Sequence, residues 1–334
     1  MREIRTMLLG AGRFGISWAT EILPLCGDTA RLEAVADRDR GRLKMLPGEV
    51  RTFEDLEEAI EEVKPELVIN ATQPSAHLST NRMLLEHGVP VLCEKPLADS
   101  LEAAEETGRI LRKTGGFLMI AENYRFSPVM RAAKACLLSG RLGGIHRIHC
   151  LFRHEHPDYS AFYHGKLRHP LLEDVAIHHL DLARYLSGEE PRTVECRADT
   201  APYSWYGERF ASSGIRTEMT GGVLFEYSGT LASPVTTTPW NGRWEIECER
   251  GVLQILDDRL YVTESGGREE LEIDTPDGVS RALLLKEACS ALREHRRGET
   301  DYTDNIRTYR WMQAAVRSSE TKETVRMGEE AEEC

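Results

Sequence analysis

Two domains are predicted from the sequence. Residues 1–122 form an α/β domain on a doubly wound parallel sheet, and residues 123–334 form an α+β domain with a large, mostly antiparallel open sheet. Three observations lead there. Near-continuous apolar strands alternate with helical patterns through the first third of the chain. A glycine cluster, Gly10-Ala11-Gly12-Arg13-Phe14-Gly15, separates the first strand from the first helix. Beyond residue 123, longer alternating strands follow one another with few helices between them.

The first strand is Ile4-Arg5-Thr6-Met7-Leu8-Leu9, and Ile16, Ala19, Ile22 and Leu23 mark the helix that follows. Between them the G-x-G-x-x-G spacing has a physical reading. Gly10 permits a tight turn, Gly12 lets the backbone approach a pyrophosphate, and Gly15 lets helix and strand pack closely. The helix amino terminus then points N–H groups and its positive dipole end at the phosphates, which places Arg13 and Phe14 at the same turn. The second strand, Leu32–Asp37, ends in an acid about 20 residues past the glycines, where a ribose-binding carboxylate belongs. Asp37 would accept from both ribose hydroxyls and repel a 2′-phosphate, which favours NAD. Arg38 beside it can accommodate a phosphate, so NADP stays open.

An acidic amphipathic helix is expected over Phe53–Val63, a strand over Glu66–Asn70 and a helix over Ser75–His87. A strand over Val89–Cys93, a helix over Ser100–Lys113 and a strand over Phe117–Ala121 complete the first domain. Ligands on parallel sheets bind beyond the carboxyl ends of the strands, so the loops after Leu9, Ala36, Asn70, Cys93 and Ala121 matter most. One of them holds Glu94-Lys95-Pro96. The proline biases Lys95 away from the helical region and leaves the Lys–Pro bond open to cis geometry. A lysine on this edge can hydrogen-bond a reacting hydroxyl or carbonyl oxygen and offset the charge developing on it. The plainer alternative is a solvated lysine at a strand end.

In the second domain a helix over Pro128–Leu138 precedes strands at Ile145–Arg153, Thr193–Ala198, Ile215–Tyr227, Arg243–Glu249, Gly251–Leu256 and Leu260–Glu264. The sheet's polar face should be covered by the other domain or by a partner. Helix resumes from Ala282, and Glu329–Glu333 should fray. Residues Asp174–Gly188, taken as a helix, place Asp174, His178, Asp181 and Tyr185 on one stripe of an otherwise apolar surface, with His179 and Arg184 as exceptions. A polar stripe on a buried helix must be hydrogen-bonded or face a cavity. His178 can take a proton near neutral pH, and Asp174 or Asp181 can orient its ring. One imidazole without a thiolate is a poor zinc set, so no metal is expected. The segment from His154 to His169 offers Tyr and Phe rings for a sugar's apolar face, with His and Arg for its hydroxyls. Arg153 just before it and His156, Tyr163 and Arg168 within it are candidate substrate contacts, and Arg153, Lys166 and Arg168 leave a sugar acid or phosphorylated sugar open.

A net charge of −13 argues against general affinity for nucleic acid or anionic membranes. No apolar run reaches membrane-spanning length and the amino terminus lacks a signal-peptide core, so a cytoplasmic protein is expected. The cysteines include no C-x-x-C pair and read as reduced, mostly buried thiols.

Several of these segments together resemble the Gfo/Idh/MocA family of glucose–fructose oxidoreductases and inositol dehydrogenases, over nearly the whole chain. Glu94-Lys95-Pro96 follows a glycine-turn dinucleotide domain. Ala71-Thr72-Gln73-Pro74-Ser75-Ala76-His77 is similar to the family's Thr-Pro-x-x-x-His loop. Asn123-Tyr124-Arg125-Phe126-Ser127-Pro128 matches its Asn-x-Arg-Phe-x-Pro crossover, and Asp174 to Asp181 its Asp-x-Gly-x-His-x-x-Asp helix. The resemblance implies a Rossmann domain in which Thr72, Gln73, Pro74, His77, Glu94, Lys95 and Asn123 border NAD or NADP. It further implies that Lys95 and His178 are the catalytic pair, that Asp174 supports the histidine or contacts substrate, and that Arg125 belongs to the substrate side. It implies a cyclic polyol, sugar or sugar derivative as substrate, and a homodimer or homotetramer formed through the second domain's sheet. Gln73 stands where the family has proline, and Ala176 where it has glycine. Two rival readings share the fold: glycoside cleavage with transient reduction of NAD, and a dinucleotide and sugar sensor without turnover.

Overall fold

The computed structural model describes residues 2–46, 50–158, 163–274 and 279–328. Its first sheet contains β1 (Ile4–Leu9), β2 (Ala30–Ala36), β3 (Arg51–Phe53), β4 (Leu67–Asn70), β5 (Val91–Cys93) and β6 (Leu118–Ile120). The order is β3-β2-β1-β4-β5-β6 and every pairing is parallel. The strand order reverses between β1 and β4, and a crevice for ligand opens at the carboxyl ends of strands at such a point. Strands β4 and β5 are buried at every position, hence their apolar sequence up to Asn70, the one polar residue, which closes β4.

The sequence expectation missed β3, whose three residues are too few for a periodic signal. Phe53 belongs to that strand, and the acidic helix starts later, at Leu56–Val63, because the Asp55 carboxylate caps it by accepting from Glu58 N at 2.9 Å. Ser100 caps the helix Leu101–Thr114 in the same way, and Gly115, at φ +62°, ends it.

Contacts divide the chain into two compact units, Met1–Phe126 with Asp277–Ile306, and Ser127–Pro276 with Arg307–Cys334. These contact units differ from a single division at 122/123 in that a distant segment, Asp277–Ile306, joins the first. The helix Ser280–Arg293 seats Ala282, Leu285, Ala288 and Cys289 among Trp18, Ile22, Cys26 and Phe126. Spacing of i, i+3 and i+4 puts these residues on one helical face, which the first unit's core covers. Farther on, Thr300 Oγ1 donates to Ile120 O at 2.6 Å, beside β6.

The second unit holds β7 (Ile145–Arg153), β8 (Pro191–Asp199), β9 (Ser212–Met219), β10 (Leu224–Thr230), β11 (Arg243–Cys248), β12 (Gly251–Leu256), β13 (Arg259–Glu264), β14 (Gly267–Leu271) and β15 (Val325–Arg326). They form one sheet in the order β14-β13-β12-β11-β7-β10-β9-β8-β15. Pairing is antiparallel except between β7 and β10, which run parallel. The expected strand Ile215–Tyr227 is in fact a hairpin of β9 and β10. The turn falls between Met219 and Leu224, with Gly222 at φ +91°, a left-handed conformation that glycine adopts without penalty. The exposed β14 and two-residue β15 were also unforeseen. One face of the sheet buries Phe152, Phe225, Trp244 and Ile246, with Phe225 edge-on to Trp311 at 5.3 Å. The opposite face is polar. There Glu226 lies 3.4 Å from Arg147 and 3.5 Å from His149. The expected fraying of Glu329–Glu333 falls outside the described residues.

The docking of the distant segment is open to test at Gly108, where an added Cβ would lie 2.2 Å from the Tyr302 hydroxyl and 2.5 Å from Cζ. Gly108→Ala should destabilise the protein by about 1–3 kcal/mol, the usual cost of overpacking, as read from denaturant unfolding. Unchanged stability would show that Tyr302 does not pack against this helix.

Candidate active site

The glycine turn leaves almost no room where the fold requires closeness and much where a ligand would come. A Cβ on Gly15 would stand 1.8 Å from Gly10 O, and one on Gly10 would stand 2.9 Å from the Ala71 backbone. Gly10 also has φ +95°, which favours glycine. A Cβ on Gly12 would meet nothing within 4 Å. Gly12 is the N-cap of the short helix Arg13–Ser17, which continues through a π turn, Trp18–Ile22, and no side chain caps it. Helices leave their first amides without intrahelical acceptors. Open space before uncapped amides fits the pyrophosphate of a dinucleotide. Arg13 and Phe14 are exposed at this turn.

Asp37 closes the turn from the side. Its Oδ2 accepts from Ala11 N at 2.7 Å and its Oδ1 from Asp39 N at 2.8 Å. Each oxygen keeps a further lone pair, so the carboxylate can still receive ribose hydroxyls. The cation beside it is Arg42, with Nη1 at 3.7 Å from Oδ2, whereas Arg38 is exposed. Sequence reasoning missed Arg42. The turn capped by Asp39, which accepts from Gly41 N at 2.8 Å, curls the chain back toward Asp37.

The loops after β4 and β5 are joined by buried polar groups. Asn70 Oδ1 accepts from Thr72 Oγ1 at 2.7 Å, while its Nδ2 donates to Thr80 and Asn81 at 2.8 Å each. His77 is fully buried and lies 3.0 Å from Pro96 O through Nδ1 and 3.1 Å from Thr72 O through Nε2. Burial pushes its pKa below the usual histidine value, although both carbonyls pull the other way. Pro74 opens the helix Pro74–Glu86, and Gln73 before it is exposed. Glu94 is buried and accepts from the Trp18 indole N–H at 2.8 Å. The Lys95 amide lies 3.3 Å from Glu94 Oε2, and the Lys95–Pro96 bond is cis. Lys95 itself is half-buried. Asn123 donates to Ser280 Oγ at 2.8 Å, and Arg125, 4% exposed, pairs with Asp304 at 2.7 Å. Burial raises the neighbouring Cys93 thiol to about 12, so it is no nucleophile near neutral pH.

In the second unit the expected continuous helix from Asp174 divides. Leu171–Ala176 is a π turn and Ile177–Ser187 the α-helix, ended by Gly188 at φ +75°. Asp174, half-buried, therefore lies outside the regular spacing assumed for it. The helix proper is buried nearly all round, and His178, Asp181 and Arg184 are within 5% of full burial. Asp181 Oδ1 accepts from Thr308 Oγ1 at 3.0 Å, and Thr308 in turn accepts from Arg184 Nη1 at 2.8 Å. Arg184 grips Glu190 through two bonds of 2.7 and 2.8 Å. Tyr185 OH accepts from Arg131 at 3.1 Å. Burial raises the Glu173 carboxyl, which accepts from His169 N.

The candidate substrate residues are spread. His156 is buried on Tyr206 OH at 3.1 Å. Arg168 lies over the Phe210 ring, 3.3 Å from Glu320. Arg153 lines a cavity of about 600 Å³ with Asp199, Tyr203 and Thr230. Tyr163 is half-buried in the turn Tyr163–Lys166. Tyr159, Ser160, Ala161 and Phe162 lie outside the described residues.

Residues 4–122 match the model of an oxidoreductase family with an NAD-binding Rossmann fold, and residues 130–254 match the Gfo/Idh/MocA C-terminal domain. The chain belongs to the Gfo/Idh/MocA family. It is 27% identical to a D-apiose dehydrogenase of Rhizobium rhizogenes, over 98% of this chain and 99% of the relative. An inositol 2-dehydrogenase of Rhizobium meliloti is 30% identical, over 84% and 82%. Among solved structures, an Agrobacterium radiobacter oxidoreductase in complex with NAD+, L-tartaric acid and magnesium superposes with a TM-score of 0.87. The match has 23% identity and covers 97% of this chain and 98% of that one. An aldose–aldose oxidoreductase of Caulobacter crescentus complexed with glycerol gives 0.85 at 20% identity, over 98% and 100%. At these identities the structures establish the fold. The family establishes an NAD(P)-dependent dehydrogenase.

The glycine turn makes two opposite predictions. Gly15→Ala should cost at least about 1–3 kcal/mol, since backbone must move. Gly12→Ala should cost under about 1 kcal/mol yet weaken NAD binding measured by calorimetry. The reverse ranking of stability and binding would refute this account of the turn.

Proposed function

We propose that this enzyme oxidises or reduces a hydroxyl-bearing carbon of a cyclic polyol, sugar or sugar derivative, with NAD preferred to NADP. The observation that carries the proposal is Lys95 at the carboxyl end of β5, its Glu94 neighbour tied to Trp18 one turn past the glycine cradle. A lysine next in the chain to that anchored glutamate, at the carboxyl end of a parallel strand, is suited to the cofactor's reactive side rather than to solvent. The names of the D-apiose and inositol relatives support the substrate class.

Gly10, Gly12 and Gly15 would hold the pyrophosphate, Asp37 the ribose, and the loops around Thr72 and Lys95 the nicotinamide side. When bound, NAD supplies a hydride acceptor. The Lys95 ammonium would donate a hydrogen bond to the reacting oxygen and offset the negative charge that grows as its proton leaves. The His178 imidazole would accept that proton and return it in the reverse direction. Asp174 is assigned to substrate or to His178. Asp181 is the other candidate to orient His178, while its Oδ1 accepts from Thr308, which also binds Arg184 and so ties the helix down. NAD is favoured because the carboxylate of Asp37 faces the turn, although Arg42 lies close enough to soften the discrimination. The polar open face of the nine-stranded sheet is proposed as the contact of a homodimer or homotetramer, in a cytoplasmic enzyme.

Lys95→Ala should lower kcat by about 10²–10³, the range seen when one preorganised donor to a developing oxyanion is removed, with NAD affinity changed only a few fold. Steady-state kinetics beside calorimetry measure both, and preserved turnover would remove Lys95 from the chemistry. Asp37→Ala should weaken NAD more than NADP. Equal weakening would mean that Asp37 does not read the ribose.

A further inference from the structure

Trp240 lies on the segment between β10 and β11, at the end of the sheet where β7 also ends. It is 44% exposed, whereas Phe152, His179 and Trp244 around it are buried to within 1%. A lone exposed aromatic is ordinary, but this one is held at several points. Its ring stacks on the His154 imidazole with centroids 4.1 Å apart and planes 19° from parallel. His156 flanks it at 5.7 Å and 60°. Its carbonyl oxygen lies 2.9 Å from His179 Nε2, and His179 Nδ1 lies 3.2 Å from the Tyr227 hydroxyl. A neutral His179 that donates from Nε2 to this carbonyl accepts at Nδ1 from the Tyr227 hydroxyl, so one tautomer satisfies both contacts. His179 is the chain neighbour of His178. The backbone beneath Trp240 is thus pinned to the helix that bears the proposed proton acceptor, and the indole orientation is set by His154.

We infer that Trp240 is a stacking platform for the substrate ring, receiving the apolar C–H face of a cyclic polyol or pyranose on the exposed surface of its indole. The inference rests on the dehydrogenase reading above and adds to it a residue that discriminates among substrates. An indole held in place pays little ordering entropy on binding and offers a flat apolar surface. Burial pulls the His154 pKa below its usual value, which favours the neutral imidazole as the stacking partner of the indole. Cyclic substrates present a continuous C–H face, and flexible acyclic polyols do not. The platform therefore selects for ring form.

The test compares KM for a cyclic polyol and for an acyclic hexitol in the wild type, W240A, W240F and W240L, with thermal melting to confirm folding. W240A and W240L should raise KM for the cyclic substrate about tenfold, as loss of one aromatic contact implies. W240F, which keeps a flat ring, should recover most of that loss. KM for the acyclic polyol should rise less than about threefold, and KM for NAD should not follow the series. W240L serves if W240A does not fold, because leucine fills space without a flat face. An equal rise for cyclic and acyclic substrates, or W240L matching W240F, would make Trp240 a packing residue and overturn the inference while leaving the dehydrogenase intact. Absence of turnover on every polyol and sugar by folded, NAD-binding wild type would instead overturn the dehydrogenase reading, and the platform with it.

Discussion

No side chain fits at Gly15. Its would-be Cβ falls 1.8 Å from Gly10 O, so helix and strand meet backbone to backbone. That contact sets the direction in which the helix leaves the turn, and with it the position of Trp18 one turn later. Trp18 donates to Glu94, and Glu94 lies against the Lys95 amide. His77 lies between the same turn's Pro96 carbonyl and Thr72. The glycine turn and a lysine far away in sequence are thereby placed by one chain of short contacts. A methyl group at residue 15 would disturb both.

The second unit solves a different problem. Its helix Ile177–Ser187 is buried on nearly all sides, so every polar group on it needs a partner. Asp181 and Arg184 find theirs in Thr308 and Glu190, and His179 in Tyr227 and the Trp240 carbonyl. Those bonds fix the helix in rotation as well as in depth. His178 inherits a fixed position from neighbours whose own duties are structural. The π turn through Asp174 is the irregular part, and irregular helical turns are frequent at functional sites.

The legible parts of the sequence were those whose chemistry demands particular residues at short range. The glycine turn, the acid ending β2, Lys95 before its proline and the buried polar helix all belong to that class. Strand β3 escaped notice because it is short, and β14 because it is exposed. The hairpin of β9 and β10 read as one strand because alternation runs through its turn. Arg42 and Arg38 are indistinguishable by spacing, and only the turn capped by Asp39 decides which returns to Asp37. The return of Ser280–Arg293 to the first unit was illegible for a deeper reason, since an amphipathic helix records which face it buries and not what buries it. Trp240 was missed likewise, because its partners His154 and His179 are distant in sequence.

Hydride transfer is the central claim, and isotope labelling tests it most directly. The enzyme would be incubated with NAD and either a polyol or sugar deuterated at its carbinol carbons or a glycoside of that sugar, and the reduced cofactor examined by mass spectrometry. Deuterium in the reduced nicotinamide is the predicted result. Intact NAD at equilibrium, with solvent protons exchanged into the sugar and a glycosidic bond broken, would contradict a net dehydrogenase and favour glycoside cleavage.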